Sequence, residues 1–88
     1  TLFFCDETGN APPLRDTLTR LPTGKPWAVL IGPEGGFTPE EARMIRSLPA
    51  ACPVHLGPRI LRAETASLAA LACIQMHLGD WTATPHFT

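Results

Sequence analysis

The residues best suited to holding a ligand lie in a glycine-rich stretch at 32–36, with the sequence Gly-Pro-Glu-Gly-Gly. Glycine has no Cβ, so its backbone can approach a ligand closely and can adopt positive φ. A loop that binds phosphate would avoid an acidic side chain, yet Glu34 lies in the middle of this stretch. The stretch therefore predicts a site for a neutral or cationic ligand.

A second stretch with charged side chains follows at 56–66, with the sequence Leu-Gly-Pro-Arg-Ile-Leu-Arg-Ala-Glu-Thr-Ala. Arg59 and Arg62 remain protonated at any physiological pH, so either can contact a ligand that carries or develops negative charge. A buried guanidinium also needs an acidic partner. One of the two arginines is therefore equally able to pair with Glu34 or Glu64 as a structural contact, and both interpretations stay open.

Alternating strands and helices are predicted to position both stretches. The apolar run at 28–31 is continuous, as expected of a strand buried on both faces. Thr38, Pro39 and Glu41 predict the capped start of a helix. The predicted strands are 2–5, 28–31 and 53–56, and the predicted helices are 14–21, 39–48 and 65–76. This order predicts an α/β fold, a parallel sheet with helices on both faces, and a ligand site at the carboxyl ends of the strands.

Two further sets of polar side chains are interpreted as structural. His55 alternates with apolar neighbours in the third predicted strand, and no Ser, Cys or Asp is spaced to serve it in catalysis. It is interpreted as a strand residue that faces a neighbour. Two pairs, Glu40 with Arg43 and Glu41 with Arg46, are interpreted as solvated charges on the surface of the helix at 39–48, with little effect on stability.

Composition limits the classes of function. The chain has 88 residues, a net charge of −1 and 44% hydrophobic residues, which gives no basic surface for nucleic acid. Its three cysteines lack metal-binding spacing, so no metal site is predicted, and they indicate reduced thiols of a cytoplasmic protein. No apolar run approaches membrane-spanning length, so no membrane partner is predicted. The last helix is apolar nearly all round, which predicts a second surface that covers it.

The order and pairing of the two stretches resemble the carboxyl-terminal part of the RsmE family, over residues 2–81. The residues that carry the resemblance are Gly-Pro-Glu-Gly-Gly-Phe at 32–37, the stretch at 56–66 and the Ala/Leu-rich helix after it. Members of the family are SPOUT-class methyltransferases that methylate N3 of a uridine in 16S ribosomal RNA, using S-adenosyl-L-methionine. The resemblance implies a SPOUT-type fold with a deep trefoil knot, and a homodimer formed through the last helix, from Glu64 onward.

The resemblance also implies the residues of the site. The cofactor would be held by Leu30, Ile31, Gly32, Glu34, Gly35, Gly36, Leu56, Gly57, Ile60 and Leu61. In the family, a PUA-like RNA-binding domain and the first part of the SPOUT sheet precede this region. Residues 1–88 are therefore expected to be the carboxyl-terminal part of such a domain, with ribosomal RNA bound through the preceding domain as well. Cofactor binding by these residues alone is expected to be at best weak, and their turnover negligible.

Three residues are candidates for catalysis: Arg59, Arg62 and Glu34. Methylation at uridine N3 needs that nitrogen deprotonated or nearly so, and a guanidinium would stabilise the negative charge that develops on the flanking carbonyl oxygens. Arg59 is favoured for substrate contact. Glu34 either faces the cofactor sulfonium, accepts a proton, or accepts backbone N–H bonds within its loop, and the tight turn favours the last role. The alternative function is a non-catalytic knotted dimerisation or nucleotide-binding module, since the same loops would serve it.

Overall fold

The computed structural model describes residues 1–7, 10–33, 35–59 and 61–85. Strands and helices alternate along the chain, as predicted. The strands are β1 (Leu2–Cys5), β2 (Ala28–Leu30) and β3 (Ala51–Val54), and the helices are α1 (Leu14–Leu18), α2 (Pro39–Arg46) and α3 (Ala63–Leu78). None of the helices in these ranges is both long enough and apolar enough to cross a membrane.

The three strands form one parallel sheet in the order β2-β1-β3. The predicted parallel sheet is confirmed, but the strand buried on both faces is β1 and not the glycine-loop strand β2. Phe3 and Phe4 of β1 are 0% and 1% exposed. In β2, Ala28 is exposed and the other two residues are partly exposed. The reason is that β2 pairs on one side only among the described residues, at the edge of the sheet.

Helices cover both faces of the sheet, as predicted. Successive side chains of a strand point to opposite faces, so Phe3 and Phe4 pack against different layers of helices. Phe3 belongs to a core cluster with residues of α1, β3 and α3: Leu14, Leu18, Val54, Ala70, Ile74 and Leu78. On the other face, Phe4 contacts the ring of Phe37 and the guanidinium of Arg46 in α2.

Short sequence patterns predicted the first residue of α2 correctly, but they predicted the bounds of the other elements less accurately. The Thr38 hydroxyl accepts the Glu41 N–H at 3.1 Å, and the Glu41 carboxylate accepts the Thr38 N–H at 2.9 Å, so the capping box is present. Helix α1 ends at Leu18, earlier than predicted. Strand β3 begins two residues before Pro53, because an edge strand tolerates a residue without an N–H.

Helix α3 is buried along a single stripe. Ala66, Ala70, Ile74 and Leu78 repeat every four residues and face the core. Leu68 and Met76 are 70% and 68% exposed on the outer part of the helix. The predicted second covering surface does not come from the described residues of this chain.

Candidate functional site

A cavity of about 580 Å³ opens where the chain leaves the carboxyl ends of the three strands. Its wall combines segments that follow β1, β2 and β3, together with the starts of α2 and α3. Its lining residues include Phe4, Cys5, Asp6, Glu7, Phe37, His55, Pro58 and Ala66. This is the position at which open α/β sheets bind ligands, and it is the position predicted from the order of the elements.

The cavity brings the two predicted stretches together. The predicted site residues that line it are Ile31, Gly32, Gly36, Leu56, Gly57, Arg59 and Leu61. Leu30 lies within β2, and neither it nor Gly35 is among the lining residues. Arg62 lies outside the lining as well, at the N-cap of α3, where its carbonyl accepts the Ala66 N–H at 2.8 Å. The predictions for Glu34 and Ile60 lie outside the described residues.

The first loop is held against the sheet by an aromatic ring. Phe37 packs edge-on against Phe4, with ring centroids 5.5 Å apart and an interplanar angle of 64°. A Cβ added at Gly32 would lie 3.1 Å from Cε2 of Phe37, so the ring occupies the space that a side chain would need. Gly36 has a φ of +74° and donates its N–H to the Pro33 carbonyl at 2.8 Å. These two glycines are therefore required by packing and by backbone conformation.

An ion pair that sequence reasoning missed lies beside the cavity. Asp6, directly after β1, is buried and lines the cavity. Both Nε and Nη2 of Arg46 lie 2.8 Å from Asp6 Oδ2, and the Arg46 guanidinium lies 6.0 Å from the Phe4 ring centroid. The interpretation of Arg46 as a solvated charge of little consequence was therefore wrong, because Arg46 bonds to the buried Asp6. Glu41 is exposed, as interpreted, and its carboxylate caps its own helix, as its spacing from Thr38 predicted. The sequence feature that could have indicated this ion pair is the acidic residue directly after a strongly apolar strand.

His55 lies just after β3 and, as predicted, faces a neighbour: it forms an isolated parallel bridge with Pro13, outside the named strands. Its backbone N–H donates to the Pro12 carbonyl and its carbonyl accepts the Leu14 N–H, both at 2.9 Å. Its ring Nδ1 accepts the N–H of Gly57 at 3.0 Å. Gly57 has a φ of +109°, which glycine adopts without strain. His55 thus contacts the segment before α1 and the loop after β3 at the same time.

The one thiol in the cavity wall is a poor nucleophile. Burial, and to a smaller degree the Glu7 carboxylate, raises the pKa of the Cys5 thiol to about 11. The thiolate is the reactive form of cysteine, so Cys5 is almost entirely protonated and unreactive near neutral pH. Burial also raises the pKa of Cys52. No group of three or more possible metal ligands occurs within the described ranges. The described wall thus offers backbone groups, apolar surface and the polar side chains of Asp6, Glu7, His55 and Arg59.

Residues 1–75 match the sequence profile of the RNA methyltransferase domain family. The chain belongs to this family. Ribosomal RNA small subunit methyltransferase E of Bacillus subtilis is 45% identical to this RNA methyltransferase domain over 58 residues, which are 65% of this chain and 22% of that protein. The enzyme of the same name from Buchnera aphidicola subsp. Schizaphis graminum is 48% identical over 52 residues, 59% of this chain and 21% of that protein.

A solved structure supports the same relationship. A methyltransferase from Legionella pneumophila, in complex with the cofactor SAM, superposes with a TM-score of 0.70 at 38% sequence identity. The superposition covers 91% of this chain and 31% of that one. The resemblance to the RsmE family is thus confirmed. This RNA methyltransferase domain spans about a fifth of the length of the curated relatives it matches.

Proposed function

We propose that this RNA methyltransferase domain binds S-adenosyl-L-methionine in the cavity at the carboxyl ends of its strands, and contributes to methylation of uridine N3 in 16S ribosomal RNA. The observation that carries the proposal is the meeting of the loops after β2 and β3 in one cavity of about 580 Å³. The proposal includes action in ribosome biogenesis in the cytoplasm, as part of a longer protein whose preceding region supplies an RNA-binding domain and further strands.

The residues of the cavity fit a cofactor of this kind. Small-molecule sites in proteins usually measure about 300–1,000 Å³ and combine apolar walls with a few polar groups. Ile31, Leu56 and Leu61 supply apolar surface on which an adenine ring would lie, and the glycine-rich turns expose backbone groups beside it. Glu7 places a carboxylate at the wall, which suits a ligand with a cationic sulfonium and a cationic amino group, whereas the Asp6 carboxylate beside it is already paired with Arg46. Leu30, Gly35, Glu34 and Ile60 remain predicted cofactor contacts.

The cofactor, when bound, supplies an electrophilic methyl group on sulfur. The role proposed for this chain is to hold the target uridine and to stabilise the negative charge that forms as N3 loses its proton. Arg59 lines the cavity and its guanidinium cannot lose its own proton, so it is placed to neutralise charge on the uracil oxygens. Arg62 at the start of α3 and Glu34 in the first loop complete the proposed set of catalytic residues.

The SPOUT-type knot and the homodimer belong to the same proposal. The dimer is supported by the outer part of α3, where Leu68, Leu71 and Met76 are exposed apolar side chains on one helix. Several large apolar side chains exposed on one helix are consistent with a protein interface. Sedimentation velocity on the 88-residue chain should give a dimer, and Leu68→Glu should convert it to a monomer. An unchanged dimer in the variant would contradict the use of this face.

The cofactor assignment is tested by calorimetric titration with S-adenosylhomocysteine. We expect saturable binding by the 88-residue chain that is lost in Leu61→Asp, because the added carboxylate lies in the cavity wall and must be desolvated by the ligand. Leu48→Asp is the matched control, since Leu48 is exposed just after α2 and is not a lining residue. Equal loss in both variants would contradict the assignment, as would the absence of binding by a longer protein that includes the preceding region. Saturable binding by a longer protein without methyl transfer to ribosomal RNA would favour the non-catalytic module.

A further inference from the structure

His55 makes a side-chain contact that determines the path of the loop after β3. Its Nδ1 accepts the Gly57 N–H at 3.0 Å, so in this contact the ring is neutral at Nδ1 and carries its proton on Nε2. Gly57 is the residue at which the chain turns, with a φ of +109°. The two residues that follow, Pro58 and Arg59, line the cavity.

The backbone of His55 is itself fixed from the other side. Its N–H and its carbonyl bond to Pro12 and Leu14, in a parallel bridge outside the named strands. Leu14 is buried in the core with Phe3 and Ile74. The backbone that carries the imidazole is therefore held in place by the segment before α1. Among the described residues, the hydrogen bond from the Gly57 N–H to Nδ1 adds to the covalent link through Leu56 and fixes the turn against that backbone.

We propose that His55 is a positioning residue of the cofactor and substrate site: its Nδ1 holds the Gly57 turn, and through that turn it places Pro58 and Arg59 at the cavity. The effect on ligand affinity rests on the proposed function, whereas the effect on the turn does not. Without the acceptor, the Gly57 N–H loses its partner, and glycine, which has many accessible conformations, lets the loop sample alternative paths.

Two substitutions distinguish the effect of the hydrogen-bond acceptor of His55 from the effect of the size of its side chain. In His55→Asn, the side-chain oxygen lies the same number of bonds from the backbone as Nδ1, so an acceptor is kept. In His55→Leu, a side chain of similar size remains but the acceptor is removed. The variants are compared in the 88-residue chain by NMR amide exchange of Gly57 and by titration with S-adenosylhomocysteine.

The loss of one hydrogen bond predicts that Gly57 exchanges roughly 2- to 12-fold faster in His55→Leu. We expect the affinity for S-adenosylhomocysteine to fall by a factor in the same range, and both quantities to return to within about threefold of wild type in His55→Asn. The internal control is the Asp6 N–H, which donates to the Val54 carbonyl at 2.8 Å and should keep its protection in both variants.

The proposal is overturned if Gly57 exchanges equally fast in wild type and His55→Leu, or if His55→Asn behaves like His55→Leu. Lost Asp6 protection in the leucine variant would also overturn it, because His55 would then support the whole sheet edge instead of the turn. Should both the 88-residue chain and a longer protein that includes the preceding region fail to bind S-adenosylhomocysteine, the proposed function fails, while the Gly57 exchange still decides the role of His55.

Discussion

Replacing Arg46 by methionine should remove a large share of the stability of this domain. The Asp6 side chain is 3% exposed, so its carboxylate depends on the protein for solvation, and two nitrogens of Arg46 lie 2.8 Å from its Oδ2. Removing one partner of a fully buried ion pair costs about 3–5 kcal/mol. The Arg46 side chain is 37% exposed, so water can partly replace it. We therefore expect Arg46→Met to lower the free energy of unfolding by about 2–3 kcal/mol.

Urea denaturation followed by circular dichroism measures this loss. Domains of this size are stabilised by only about 4–13 kcal/mol, so the change in midpoint should be large. Arg43→Met on the exposed surface of the same helix is the matched control and should change the free energy of unfolding by less than about 0.5 kcal/mol. The double variant Asp6→Asn/Arg46→Met should cost less than the sum of the two single changes, since each removes the same interaction. Additive losses, or an Arg46→Met variant as stable as the control, would refute the reasoning.

Three further outcomes follow from local geometry. Thr38→Ala removes half of the capping box with Glu41 and should lower the free energy of unfolding by about 1 kcal/mol in the same assay; an unchanged midpoint would count against the cap. At pH 8, Cys5 should be alkylated by iodoacetamide far more slowly than the exposed Cys73, because a pKa raised to about 11 from 9.0 leaves about a hundredfold less thiolate. Its labelling rate should rise with pH up to about 11, and mass spectrometry that finds equal rates at pH 8 would contradict the buried environment. Gly32→Val should cost roughly 1–3 kcal/mol, because the new side chain overlaps the Phe37 ring, and a neutral result would mean that the ring moves freely.

The features that were predictable from the sequence are those determined over a few residues. The spacing of Thr38 and Glu41 predicts the start of α2, and alternating apolar segments predict the parallel sheet. Strand order is a property of the whole fold, so the continuous apolar run of β2 gave no sign that β2 would lie at the sheet edge while β1 was buried on both faces. The bridge between Asp6 and Arg46 joins residues 40 positions apart, and only the folded sheet brings them together.

The position of Asp6 makes ligand binding and folding stability depend on the same contacts. Its N–H bonds to the Val54 carbonyl of β3, its carboxylate bonds to Arg46 at the end of α2, and its side chain lines the cavity. The glycine loop runs from the end of β2 to the start of α2, so the helix that Arg46 anchors is also the one that sets the far end of that loop. A change that releases α2 from Asp6 therefore alters the cavity wall as well as the core. A ligand that fills the cavity should in turn stabilise the bridge, because binding to the native state alone raises the free energy of unfolding.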